Sequence, residues 1–110
     1  MDDLFNQGDA IKIRALYHIN AINHQMPNQA VSRRKAIYEM FKNEFAQFKM
    51  TCIVENLFED GAWAILEWKG LHDKMSGCGF FHIVNDKIML QHGYWDKLTF
   101  LKEQGLPIRK

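Results

Sequence analysis

Cysteine is scarce in this chain of 110 residues: only Cys52 and Cys78 occur. Two thiols do not make a disulfide framework at this length, so the fold must rest on burial, and both are expected as free thiols in a reducing cytoplasm. Neither sign of charge is in excess, since 14 basic against 13 acidic side chains leave a formal charge of +1. That balance argues against a nucleic-acid footprint and against a polybasic membrane patch. Long hydrophobic runs are missing as well. The stretch "CGFFHIV" is far too short to span a bilayer, and the acidic, polar start "MDDLFNQGD" does not have the form of a signal peptide. No repeat, low-complexity tract or Pro/Gly/Ser linker divides the chain. One domain over residues 1–110 is therefore expected, with room for one core but not for two. There is also no glycine-rich phosphate loop, paired-Cys zinc motif or nucleophile elbow, and no cofactor is expected.

What is present is 47% apolar, the composition of a globular domain. "GDAIKIRALYHI" (8–19) reads as a short helix with Asp9 as its cap and Ile13, Leu16 and Tyr17 at helical spacing. "NHQMP" follows as a short strand or turn, because Pro27 pushes the residue before it into an extended conformation. "SRRKAIYEMFKNEFAQF" is the clearest helix. Ser32 is its expected N-cap, and Ile37, Phe41, Phe45 and Phe48 form an apolar stripe with Met40 beside it. Strand signals then take over in "TCIVENLF", "GAWAILEWKG", "GCGFFHIV" and "KIMLQHGYW", with "ND" joining the last two as a hairpin. From "DKLTFLKEQG" a short final helix is expected, capped by Asp96 and stopped at Gly105. Helices first and antiparallel strands after give an α+β architecture, a cone-shaped curved sheet with helices packed on its concave face. Such a cone leaves a cavity suited to a small apolar ligand.

Few side chains stand out as chemistry. The five histidines do not have metal-ligand spacing, and no metal site is expected. His24, on a short extended segment, is a candidate general base because its ordinary pKa lies near neutrality; the plainer reading is a side chain satisfied by backbone groups. Glu55 and Glu67 are expected on an outward, solvated face. Alternation puts Ala64, Leu66 and Trp68 on one face of their strand and Trp63 and Ile65 on the other. The tryptophans and Phe80 and Phe81 are either packing, a platform for a ligand, or a dimer interface. For the hairpin, two to four loop residues fit the pattern, and a shift of one exchanges the faces.

The segments "NHQMP", "SRRKAI", "ENLFEDGAWAILEWKG", "GCGFF" and above all "KIMLQHGYWDKLTFLKEQGLPI" resemble the nuclear transport factor two-like superfamily, and within it the SnoaL-like branch that includes polyketide cyclases. The likeness runs from about Gly8 to the end. It implies a cystatin-like cone with a pocket at the wide end and commonly a homodimer on the outer face of the sheet. Comparison with ketosteroid isomerases, which are similar in the last strand, turns Gln91, Gly93 and Trp95 toward the cavity, with Gly79 and Phe81 and then Trp68 and Gly70 from the two preceding strands. His24 falls within a residue or so of the catalytic base of those isomerases, but Gly79 stands where they carry a protonated Asp. The chain also begins too late to supply most of their first helix, which bears a phenolic donor. Limonene epoxide hydrolases are similar too, yet Gly70, Trp68 and Gly93 stand where their catalytic Asp, Arg and Asp would be.

The aromatic residues and glycines at the positions matched to the pocket favour a domain that binds a small hydrophobic molecule, expected as a homodimer by the resemblance and as cytoplasmic by its thiols. Trp68, Phe81 and Trp95 would supply contact area, and His24 and Gln91 would orient a polar atom of the ligand. An isomerase, cyclase or dehydratase with His24 as base and Gln91 at the developing oxyanion is the alternative. A dimeric scaffold with a filled cone is the third.

Overall fold

The computed structural model describes residues 2–48, 50–72 and 74–107. Two short helices open the chain, α1 (Asp2–Gln7) and α2 (Ala10–Arg14). Gly8, at φ +69°, breaks them apart, and the Asp9 carboxylate caps α2 by accepting from the Lys12 backbone N–H at 3.1 Å. The chain then enters β1 (Tyr17–Gln25) and β2 (Val31–Ser32), followed by the long helix α3 (Arg34–Gln47). Four long strands come next, β3 (Cys52–Asp60), β4 (Trp63–Gly70), β5 (Ser76–Val84) and β6 (Lys87–Trp95), and α4 (Lys97–Glu103) closes the chain.

The six strands form one curved, unclosed sheet in the order β2-β1-β6-β5-β4-β3. All pairings are antiparallel except β1 with β6, which run parallel. The β5–β6 hairpin turns on Asn85 and Asp86 at φ 51° and 62°. Two successive left-handed residues make the two-residue turn that matches the twist of a hairpin, and Asn and Asp are the side chains that tolerate it. With that loop length the register is fixed. Gly77, Gly79 and Phe81 stand opposite Trp95, Gly93 and Gln91, and Trp68, Leu66 and Ala64 stand opposite Gly77, Gly79 and Phe81. These residues share the face that the helices cover.

The expected first helix needs correction. Helix α2 ends at Arg14, and Tyr17, His18 and Ile19 belong to β1. From Ala21 the burial follows a period of two rather than of 3.6, for Ala21 and Asn23 are buried while Ile22 between them is exposed, after an irregularity in the pairing with β6 between Tyr17 and Ile22. Ile19 and Ile22 add the β-branched side chains that favour a strand. Ser32 does not cap α3 either. It pairs with Ile22 in β2, and Arg33 makes the corner at φ 78° with no side-chain cap.

The core lies between the helices and the inner face of the sheet. Ile13 of α2, Tyr17 and Ala21 of β1, Ile37 and Phe41 of α3, Phe81 of β5 and Ile88 of β6 form one buried cluster. Each isoleucine and phenylalanine side chain of the cluster, taken from water, contributes about 2 kcal/mol. Among the described residues no helix is long and apolar enough to cross a membrane.

Candidate functional site

The cluster fills only part of the cone. Beside it a cavity of about 650 Å³ is bounded by α1, α3, the inner face of the sheet and α4. Alternation along the strands decides which side chains reach it. Leu66 and Trp68 come from β4, Phe81 from β5, and Gln91 and Trp95 from β6. On the helical side Met40, Phe41, Glu44 and Phe45 project from α3, and Phe48 continues from its extended C-cap. Phe100 of α4 packs edge-on against both Trp95 at 5.4 Å and Phe48 at 5.2 Å, which closes that end. The position of Phe100 follows from the corner before it. Asp96 accepts from the Leu98 backbone N–H at 3.0 Å and from the Thr99 hydroxyl at 2.8 Å. These bonds, Thr99 foremost, hold its carboxyl below the usual carboxylate range.

Glycines on the inner face make the space that bulky neighbours use. The Trp68 ring lies against Gly77, where a Cβ would stand 2.7 Å from Cζ2. At Gly93 a Cβ would overlap the Gln25 carboxamide. Gln25 crosses from the neighbouring strand β1 and occupies the position that a larger residue at 93 would claim.

Gln25 belongs to a chain of hydrogen bonds with one direction. Trp95 Nε1–H donates to Gln25 Oε1 at 2.9 Å, and Gln25 Nε2–H donates to Asn23 Oδ1 at 2.7 Å. Asn23 Nδ2–H donates to the Tyr17 hydroxyl at 3.4 Å, and that hydroxyl donates to Gln91 Oε1. Tyr17 and Asn23 are fully buried and Gln91 nearly so. Burial holds the Tyr17 phenol protonated, raising its pKa against a small opposing effect of the Asn23 bond, and the Glu44 charge raises it further. Gln91 is the last member. Its Nε2 makes no hydrogen bond to a described residue, so the amide N–H₂ is left for the cavity that Gln91 lines. Along such a chain each bond polarises the next.

Glu44 is the one carboxylate among the described residues that line the cavity. Burial pushes its pKa up to about 7, since desolvation makes ionising it there costly. The sequence reading passed it over, although it lies four residues after Met40 and seven after Ile37. That spacing puts it on the apolar stripe of α3.

Of the residues singled out from sequence, the structure brings Trp68, Phe81, Gln91 and Trp95 together around one cavity. His24 is not with them. It pairs with His92 on the opposite face of the sheet, where the two rings meet edge-on at 6.2 Å and His24 Nε2 bonds the Asn28 carbonyl at 3.1 Å. Its neighbour Gln25 is the β1 residue that lines the cavity. Glu67 also lies on the outer face, accepting from Asn56 Nδ2 at 3.1 Å. No group of three or more His, Cys, Asp or Glu side chains converges as metal ligands among the described residues.

The profile of the SnoaL-like polyketide cyclase family matches residues 1–104. Among curated proteins none matches the sequence. Solved structures match in fold. An LEH-like epoxide hydrolase of M. tuberculosis superposes with a TM-score of 0.78 at 14% identity, over 91% of this chain and 80% of that one. A protein with a ketosteroid isomerase-like fold from Catenulispora acidiphila DSM 44928, solved with trimethylamine, gives 0.81 at 10% identity over 94% and 88%. SalBIII, an epoxide hydrolase/cyclase-like enzyme of pyran ring formation in the polyether salinomycin, gives 0.75 at 17% identity over 89% and 86%.

Proposed function

This chain belongs to the SnoaL-like polyketide cyclase family, and from that premise we propose that its cavity binds a small, largely hydrophobic molecule and holds an acceptor oxygen of that molecule at Gln91. The observation that carries the reading is the one-way hydrogen-bond chain from Trp95 to Gln91, which leaves a donor at its end inside an apolar space. An amide N–H₂ that opens on a largely apolar cavity gains from an acceptor there, and the rings of Trp68, Phe81 and Trp95 supply the contact area around it. The cavity also speaks against a scaffold with a filled cone. The test is the binding of 2-methyl-1-phenyl-2-propanol, followed by tryptophan fluorescence, in the wild type and in Gln91→Leu. Loss of one hydrogen bond predicts about three- to tenfold weaker binding in the variant. Equal affinity would remove Gln91 from the reading.

A second reading, proton transfer next to a carbonyl, is supported by Glu44 rather than His24. A carboxyl that titrates near neutrality inside the cavity has the pKa that acid–base work at neutral pH requires. It predicts C–H exchange of cyclic ketones in deuterated buffer that is lost in E44Q and kept in H24A. Exchange lost only in H24A would return the role to His24.

The same proposal includes a homodimer. The outer face of the sheet exposes Phe58, Trp63 and Tyr94, large rings with no helix over them. A cytoplasmic setting, which suits the thiols of Cys52 and Cys78, completes it.

A further inference from the structure

Glu44 is a second polar point in the cavity, and nothing among the described residues answers its charge. No Lys, Arg or His is among the described residues that line the space, and no salt bridge to Glu44 occurs among the described residues. Of the titratable groups on the described elements around it, the Tyr17 phenol of β1 interacts with Glu44 and the Cys52 thiol of β3 lines the cavity; the other polar side chains facing the cavity are amides and the Thr51 hydroxyl. None can become a cation. Aromatic rings wall the cavity that this carboxyl lines. Phe41 and Phe45, on the same helix, stack at 5.8 Å, and Phe5 of α1 meets Phe45 edge-on at 5.4 Å. Trp95 and Phe100 close the far side.

A carboxylate in a cavity walled by aromatic rings, with no counter-charge among the described residues, is one that a ligand cation satisfies. The negative faces of aromatic rings attract a cation, and the carboxylate neutralises its charge. Resting on the reading of the cavity as a binding site, we infer that its ligands are hydrophobic amines whose ammonium group pairs with Glu44. Recognition is then divided between two polar points: an acceptor oxygen meets Gln91, the cation meets Glu44, and apolar wall lies between them. No covalent step is involved. When a permanent cation enters below neutral pH, the Glu44 carboxyl gives its proton to solvent.

The probes are benzyltrimethylammonium and 2-methyl-1-phenyl-2-propanol, which share a shape and differ in charge. Neither probe titrates near neutrality, so any pH dependence belongs to the protein. Wild-type affinity for the cation rises about 30-fold from pH 5.5 to 8.5, as a group titrating near 7 ionises, while affinity for the alcohol stays flat. E44Q binds the cation at least tenfold more weakly at pH 8.5, without pH dependence, and keeps its affinity for the alcohol. Calorimetry of the wild type in buffers of different ionisation enthalpy gives the same answer without a variant: nearly one proton is released per cation bound at pH 6. Alcohol binding together with no cation binding, or with cation binding that is independent of pH and releases no proton, overturns the inference and leaves the hydrophobic cavity standing. Binding of neither probe overturns both.

Discussion

Glu44 shows how much a single residue costs when it serves a cavity rather than the core. Its pKa of about 7 lies above the unfolded value of 4.5, so the folded state holds this proton more tightly than the unfolded chain does. The stabilisation linked to that proton is full below pH 4.5 and is lost as pH rises through 7. E44Q, which has no charge to bury, should therefore gain on the wild type at high pH. Urea unfolding at pH 5 and pH 8 should show the difference in stability between the two shifting in favour of E44Q by on the order of 2–3 kcal/mol. An equal difference at both pH values would mean that the carboxyl is hydrated and not lodged in the cavity. At Gly93 the space is taken by the Gln25 carboxamide. Gly93→Ala should displace Gln25, free the Trp95 indole N–H and destabilise the fold by about 1–3 kcal/mol, readable as a lower unfolding midpoint with a shifted Trp95 emission. Glu44 was legible in the sequence, since it continues the spacing of Ile37, Met40 and Phe41, but an acidic residue on a charged helix draws no notice until the space beside it is known. His24 was not placeable. In a strand, the face of one residue depends on a register that a single position inverts, and Gln25 took the inward place.

At the scale of elements, short local devices hold the walls of the cavity. The cap at Asp96 starts α4, and α4 carries Phe100 onto Trp95 and Phe48. Asp96→Ala should release the first turn of that helix, seen as severalfold faster hydrogen exchange at the Leu98 amide, while α3 keeps its protection. Because the Asp96 pKa is lowered, the support it gives is present above the ordinary carboxylate range and fades as pH falls through the lowered value. Unchanged exchange at Leu98 would mean that packing of Phe100 alone sets α4. The caps at Asp9 and Asp96, the stop at Gly105 and the place of the β5–β6 hairpin, though not the length of its turn, were readable from local chemistry, because a few adjacent residues decide each of them. The end of α2 and the corner at Arg33 were not. There, tertiary pairing of β1 with β6 and of β2 with β1 overrides the helical spacing around Tyr17 and the capping preference of Ser32.

For the molecule as a whole, the two faces of the sheet have different chemistry. The inner face carries Leu66, Trp68, Phe81, Gln91 and Trp95 to the cavity; the outer face carries Phe58, Trp63, Phe80, His82, His92 and Tyr94. The proposed self-association through the outer face predicts a smaller sedimentation coefficient for Phe58→Asp than for the wild type at equal concentration, with the proposed binding in the cavity unaffected. A wild type that sediments as a monomer throughout would refute the dimer. This asymmetry also supplies a direct test of the central claim, that a small hydrophobic molecule enters the cavity. Trp68 and Trp95 line the inner face, and Trp63 stacks on His82 at 4.8 Å on the outer one. The measurement is a titration of the ¹⁵N-labelled protein with 2-methyl-1-phenyl-2-propanol, following the three indole N–H resonances. Saturable shifts of Trp68 and Trp95, with Trp63 unmoved, are predicted. Shifts confined to Trp63, or none at all, would contradict the account.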